Sequence, residues 1–388
     1  MMPSTVPTDI DKYFYNRKKD IKKINRFIDG IYEDLPSQLL ISGKRGVGKT
    51  FLLKKILNDK KKDTLGIYID VSKVYAKYEN NISEEAILKE ILYQYKDFLD
   101  KNDNILGKIK TSLNSLKLKN YDFSDTASIF NIPIPKITDN YPKLSEFIMN
   151  LPQNIVDSSD DIKGVIVVID EFQLLKYVKS PEAFFWLFRS FIQEQRNVSY
   201  IFTGSVSKTA DVIQMINGQD GAFGGRMIQI DIEPFSKEET LNYINDKSNG
   251  IKFTNKGFDR FYKCTRGIPA YINPFCNMLT KGIVYDENMI KETFFMEMDH
   301  IVILWLYVWG ALNSYEKEIV NILVENESLT LKELETLSKR SKNTLIKYLD
   351  SLSNKGIISY HNKKYNLDDK MLETWLKHKK DIDGYLPF

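Results

Sequence analysis

Eight residues, Gly43-Lys44-Arg45-Gly46-Val47-Gly48-Lys49-Thr50, limit what this chain can fold into more than any others, because they satisfy G-x-x-x-x-G-K-[ST] at every fixed position. The apolar run Leu39-Leu40-Ile41 before them reads as a strand, and Phe51-Leu52-Leu53-Lys54-Lys55-Ile56-Leu57 after them reads as a helix. Strand, loop and helix in that order make a phosphate-binding loop. Glycines at 43, 46 and 48 allow backbone conformations closed to residues with a side chain, so successive N–H groups can point at one polyphosphate. Lys44, Arg45, Val47 and Phe51 belong to the same cradle. Lys49 would reach the β- and γ-phosphates, Thr50 would hold Mg2+ through its hydroxyl, and the dipole of the following helix adds positive field. The competing reading is a glycine-rich turn that matches by chance, and the flanking strand and helix argue against it.

A second element strengthens the first. Gly164-Val165-Ile166-Val167-Val168-Ile169-Asp170-Glu171 is an uninterrupted β-branched run ending in two carboxylates, as expected of a strand covered on both faces of a parallel sheet. Its C-terminal end is where such sheets place ligands. Asp170 would order the Mg2+ shell, and Glu171 would polarise a water for in-line attack on the γ-phosphate. Taken alone, Asp-Glu after a strand is a solvated strand end; behind a phosphate-binding loop it points to nucleotide hydrolysis.

Composition excludes more than it selects. With 388 residues the chain exceeds one core, and roughly two or three domains are expected. A net charge of +3 gives no global electrostatic case for nucleic acid or an anionic membrane, so any basic surface must be local. Cys264 and Cys276 suit neither a disulfide scaffold nor a zinc site, and read as buried thiols. The start of the chain has no secretory pattern, and the apolar run Ile301–Leu312 is shorter than the ~18 residues of a membrane span. No membrane partner and a cytoplasmic location are expected.

Along the rest of the chain, residues 1–12 read as a loose polar arm. Arg17 leads into a helix with Ile21, Ile24, Phe27 and Ile28 on one face, which either lines the base of the nucleotide or simply packs. Gly66–Val71 reads as a second strand. From 72 to 163 the pattern is irregular and reads as an insertion, with helices at Glu84–Leu99 and around Lys143–Met149 and a break at Asn131–Pro135. A helix at Ala183–Arg196 carries an aromatic stripe, Val198–Ser205 is a strand ending in hydroxyls, and Arg226–Ile232 is the fifth strand.

The loop at 43–50, Asp170-Glu171 continuing as Phe172-Gln173-Leu174-Leu175, the strand end Thr203-Gly204-Ser205, the pair Gly225-Arg226, and Glu233-Pro234-Phe235-Ser236 together resemble the archaeal ATPase family, of the AAA+-like STAND class of signal-transduction ATPases. The resemblance covers residues 13 to about 310 and implies an α/β fold with a parallel sheet in the order 5-1-4-3-2, a helical lid, and ATP rather than GTP as ligand. It implies Thr203 or Ser205 as a sensor of the γ-phosphate and Arg226 as an arginine finger, in its own subunit or a neighbour's. The alternative for Arg226 is an ordinary ion pair. Ser236 starts the lid as a capping box, and Arg266-Gly267-Ile268-Pro269-Ala270 resembles the Gly-x-Pro element through which such lids touch nucleotide; a helix stop followed by a proline-started helix explains it equally well.

From Asn313 the units become short and amphipathic. Helices at Tyr315–Glu325, Thr330–Ser338 and from Ser341, then a hairpin turning at Asn362-Lys363, resemble a winged helix-turn-helix. Its third helix would expose Lys342, Asn343, Thr344, Lys347, Tyr348 and Ser351, with Lys363 and Lys364 on the wing, residue types suited to duplex DNA. The unit's acidic residues offset its lysines, and winged helices also dock proteins. The expected architecture is therefore an ATPase core at 1–235, a lid at 236–312 and a winged helix at 313–388. The expected function is an ATP/ADP switch coupled to DNA, the alternatives being a DNA-binding regulator with nucleotide as a slow ligand, or a switch that pairs with itself or another protein.

Overall fold

The computed structural model describes residues 2–387 apart from 4, 79–81, 97, 99–126, 130–131, 135–140 and 205–210. Its centre is a parallel sheet of β1 (Leu39–Ser42), β2 (Thr64–Asp70), β3 (Gly164–Asp170), β4 (Val198–Thr203) and β5 (Ile228–Asp231). The strands lie in the order β2-β3-β4-β1-β5, which read from the other edge is the expected 5-1-4-3-2. Every residue of β3 is buried, and alternation divides its side chains between two apolar clusters. Val165, Val167 and Ile169 face one of them, with Ile87, Leu151, Phe184 and Phe188; Ile166 and Val168 face the other, with Ile24, Leu52 and Leu53. Helices α1 (Lys18–Ile28) and α2 (Lys49–Asp59) thus cover one face. Helices α3 (Glu84–Gln94), α4 (Tyr141–Ser158) and α5 (Pro181–Ile192) cover the other. The described ends of the 72–163 span are therefore part of the sheet's cover, while most of its centre lies outside the described residues.

Beyond β5, α6 (Lys237–Lys247) begins in a capping box in which Ser236 and Glu239 satisfy each other's backbone N–H. It is followed by α7 (Asn255–Thr265), α8 (Pro269–Met278), α9 (Glu287–Met296) and α10 (Ile303–Gly310). The turn between α7 and α8 is tight. Gly267 has φ +70°, its carbonyl accepts from Phe235 N–H at 2.8 Å, and a Cβ there would lie 1.9 Å from the Phe235 carbonyl oxygen. The apolar run 301–312 supplies the joint with the C-terminal unit: Ile301, Val302, Trp305, Trp309 and Leu312 are buried in one cluster with Leu323 and Trp375. Among the described residues, no helix is long and apolar enough to cross a membrane.

The C-terminal unit contains α11 (Ser314–Asn326), α12 (Leu331–Ser338), α13 (Lys342–Asn354) and α14 (Lys370–Asp383). Strands β6 (Ser328–Leu329), β7 (Ile358–His361) and β8 (Lys364–Leu367) pair antiparallel in the order β6-β8-β7. The hairpin turns through Asn362 and Lys363, both at positive φ as a two-residue turn of this hand requires. Two side chains expected on the outer face of α13 are engaged instead: Ser351 donates to the buried Glu316 at 2.6 Å, and Tyr348 packs against Tyr315.

The N-terminal arm is docked rather than loose. Met2 N–H donates to Asn277 Oδ1 at 2.7 Å, Asn277 Nδ2 returns a bond to the Met2 carbonyl at 2.9 Å, and Asn273 Nδ2 donates to the Pro3 carbonyl at 2.8 Å. Two asparagines one turn apart on α8 thus satisfy the backbone of Met2 and Pro3.

Candidate active site

The chain leaves β1 through Gly43, Gly46 and Gly48, at φ +146°, +80° and +96°, and enters α2 at Lys49. At Gly43 the backbone passes so close to the end of β5 that a Cβ would lie 2.4 Å from the Ile232 carbonyl oxygen. Gly48 caps α2 without a side chain, leaving the first-turn N–H groups to an anion. Lys49 Nζ curls back onto the loop, donating to the carbonyls of Gly43 at 2.8 Å and Lys44 at 3.0 Å. Burial pushes its ammonium down to about 8, opposed by Glu171 and Asp170. Val47 contributes only backbone, since its side chain is in the core.

Asp170 is buried at the end of β3 and receives three hydrogen bonds. Thr50 Oγ1 donates to Oδ2 at 2.7 Å, Tyr68 hydroxyl to the same oxygen at 2.5 Å, and Glu171 N–H to Oδ1 at 2.9 Å. Burial first, then the Asp170 charge, pushes the Tyr68 phenol far up, so it stays a donor. Glu171 follows in a left-handed conformation, φ 55°, uncommon for a residue with a side chain. Burial and the neighbouring Asp170 raise its pKa, while the Gln173 amide, which donates to Oε2, and Lys49 oppose the rise. The Gln173 amide oxygen has no partner among the described residues and lies where a Cβ on Gly204 would be 2.0 Å from it.

Thr203 ends β4, beside Asp170 on one side and Ile41 on the other. It is wholly buried, and its hydroxyl has no partner among the described residues. Ser205 lies outside them. Arg17 braces the phosphate loop: Nη2 donates to the Val47 carbonyl at 2.9 Å, Nη1 to the Glu233 carbonyl at 2.7 Å, and the guanidinium stacks 4.5 Å from the Phe235 ring. On the lid side, Ala270 N–H donates to the Gly46 carbonyl at 3.2 Å, which brings Pro269 against the loop. Between loop, α8 and the docked arm lies a cleft of about 520 Å³, walled by Arg45, Phe51, Glu171, Pro269, Asn273 and Val6.

Arg226 is not in this cleft. It precedes β5, whose Ile228 pairs with Leu39 at the start of β1, whereas the phosphate loop leaves the far end of that strand. Roughly 15–20 Å of strand separates the two. Beside it, the Gln193 amide oxygen accepts from Arg189 Nε and Arg226 Nη1 at 3.2 Å. Lys342, Asn343, Thr344, Lys347, Lys363 and Lys364 are all exposed on α13 and the hairpin.

Sequence reasoning overlooked Tyr68 and the asparagine pair 273 and 277, and gave Gln173 no role. Tyr68 had a usable signal, being a tyrosine in the strand that the expected sheet order sets beside β3. The asparagines had none, because nothing in residues 1–6 announces where the arm docks.

A model of an ATPase domain found predominantly in Archaea matches residues 14–275. Among solved structures, a Walker-type ATPase of Pyrococcus abyssi is 17% identical, covers 95% of this chain and 97% of its own, and superposes with a TM-score of 0.64. The Aeropyrum pernix Orc2 protein, solved in ADPNP and ADP complexes, is 12% identical over 98% of this chain and 97% of its own, at 0.53. The Orc1 protein of the same organism, solved in complex with DNA, is 12% identical over 97% and 95%, at 0.50. A search of curated proteins finds no match. The chain belongs to the archaeal ATPase family, and it is an ATP phosphohydrolase with a phosphate-binding loop.

Proposed function

We propose that this ATPase is a Mg2+-dependent nucleotide switch whose lid and C-terminal unit respond to the bound phosphate, and that the C-terminal unit, read as a winged helix, contacts duplex DNA. The observation that carries the switch is the part-buried meeting of Thr50 and Asp170 at 2.7 Å within reach of Lys49 and Glu171. A hydroxyl and a carboxylate are the hard oxygen donors that Mg2+ takes alongside substrate phosphates. When bound, the ion neutralises charge on the β- and γ-phosphates. Thr50 and Asp170 would hold it, with Tyr68 fixing the carboxylate.

Lys49 leaves its loop carbonyls for the β- and γ-phosphates, and Glu171 accepts a proton from the attacking water. The Thr203 hydroxyl, without a partner among the described residues and beside Asp170 in the sheet, suits a sensor of the γ-phosphate. Arg226, remote from its own loop, serves as a finger only for a neighbouring copy. Ala270, whose N–H donates to the Gly46 carbonyl, and Pro269 before it carry the nucleotide state into the lid.

The DNA reading rests on the exposed set Lys342, Asn343, Thr344 and Lys347 with Lys363 and Lys364. The Orc1 likeness supports it through fold alone. It is tested by duplex binding across a salt series. Replacing Lys342 and Lys347 with alanine should weaken binding and reduce the salt slope by about 2. ATP turnover should rise on adding duplex. Salt-independent binding, or no change in the variant, would sink the DNA part and leave the ATPase untouched.

A further inference from the structure

We propose that the joint between the lid and the C-terminal unit holds a second anion site, distinct from the hydrolytic cleft, that takes a small organic phosphate. A cavity of about 210 Å³ opens there between α7, α9 and the first turns of α14. Five cations line it, Arg260, Lys263, Arg266, Lys291 and Lys370, and no carboxylate does. Two are compensated from outside: Arg260 Nε meets Glu287 at 3.1 Å and Lys370 meets Glu373 at 2.5 Å. Among the described residues, Lys263, Arg266 and Lys291 have no hydrogen-bonding or ion-pair partner for their charged groups. Three like charges from two helices and the turn after one of them converge on one concavity, where low-dielectric walls focus their field.

Arg266 adds a backbone argument. It ends α7 at φ 51°, a position glycine takes at no cost, and it is followed by Gly267 rather than replaced by one. The left-handed backbone turns the Arg266 side chain off the helix at a cost that glycine would avoid. Beside Cys264 and Thr374, the remaining lining is apolar, from Phe294, Phe295 and Met371, which suits an organic body behind the phosphate. The concavity also decides between ligands of one charge: a convex duplex backbone does not seat in it, whereas a mononucleotide-sized molecule does. Held there, the ligand would bridge α7 and α9 of the lid to α14 of the C-terminal unit.

Cys264 lines the same cavity and reports on it. The other thiol, Cys276, is buried. Burial pushes Cys264 up to about 11, so its alkylation by neutral iodoacetamide is followed at alkaline pH. With the full chain carrying Lys49→Ala, so that the phosphate loop does not compete, AMP or pyrophosphate should slow alkylation at least fivefold relative to NaCl of equal ionic strength. Lys263→Ala with Lys291→Ala should abolish that protection. Arg266→Gly, which relieves the backbone, should weaken it without lowering the thermal midpoint. If Lys49→Ala folds poorly, the wild-type chain saturated with ADP and Mg2+ gives the same comparison with AMP. Equal protection by NaCl, protection unchanged in the double variant, or protection by a duplex oligonucleotide but by neither small phosphate would each overturn the proposal.

Discussion

Thr50 and Asp170, 120 residues apart in sequence, meet at 2.7 Å across the end of an intervening strand. In the sheet β4 separates β1 from β3, so the first turn of α2 must reach over Thr203 to touch the carboxylate. The result is a polar cluster of hydroxyl, carboxylate and phenol above one buried hydroxyl that lacks a partner among the described residues, which makes the two chain segments a single site.

Tyr68 tests how far that site depends on orientation. Its hydroxyl fixes the Asp170 oxygen that also accepts from Thr50. Tyr68→Phe should leave the fold intact and cost about 1 kcal/mol at the carboxylate. The expected reading is a several-fold rise in the Mg2+ concentration needed for half-maximal turnover, with ATP affinity nearly unchanged. An unaltered Mg2+ dependence would remove Tyr68 from the site.

Lys49 predicts a pH limb for binding. In the free protein its ammonium is pushed down to about 8 by burial, so it loses its proton as pH rises through that value. A polyphosphate favours the charged form and so must restore the proton. ATP affinity should therefore be level below pH 8 and fall by about tenfold per unit above it, up to the pKa of the bound state. Titrations by calorimetry in buffers of different ionisation enthalpy should register proton uptake there. Affinity that stays flat to pH 10 would contradict this.

Gln173 predicts a limb for turnover on the acid side. Glu171 must be ionised to accept a proton, and burial with Asp170 raises its pKa, so turnover should fall with decreasing pH before the ordinary carboxylate range is reached. The Gln173 amide opposes that rise. Gln173→Ala should shift the acid limb to higher pH while leaving the alkaline limb in place. A uniform drop at all pH values would mean that Gln173 serves only packing.

How much of this was legible beforehand depends on how local each signal is. The loop 43–50 and the strand ending Asp170-Glu171 carry their chemistry in contiguous residues, and the structure sets them side by side. The sheet order came from the resemblance those residues carry, since periodicity alone does not order strands. Arg226 has the right type at the right place in the chain, but strand direction decides which end of the sheet it occupies, and that end is the wrong one for its own loop. Ser351 faces outward by helical spacing, yet Glu316 on α11 captures it. The arm at Met2 and Pro3 gave no periodic signal because its bonds are made by its backbone to Asn273 and Asn277.

Gly267 joins core and lid through backbone alone. A side chain there would have to displace the Phe235 carbonyl and adopt φ +70°. Gly267→Ala should destabilise the lid by about 2 kcal/mol or more and weaken nucleotide binding, because the same turn presents Ala270 to the phosphate loop. Thermal unfolding with and without ATP measures both. A variant with an unchanged midpoint and unchanged affinity would show that this turn does not carry the coupling.

The most direct test is ATP binding and turnover by the intact chain beside Glu171→Gln and Lys49→Ala. Glu171→Gln should bind ATP as the wild type does and lose at least a hundredfold in turnover, while Lys49→Ala should lose binding. If Glu171→Gln turns over ATP at the wild-type rate, or if Lys49→Ala binds ATP undiminished, the hydrolytic site is not the one built from these residues.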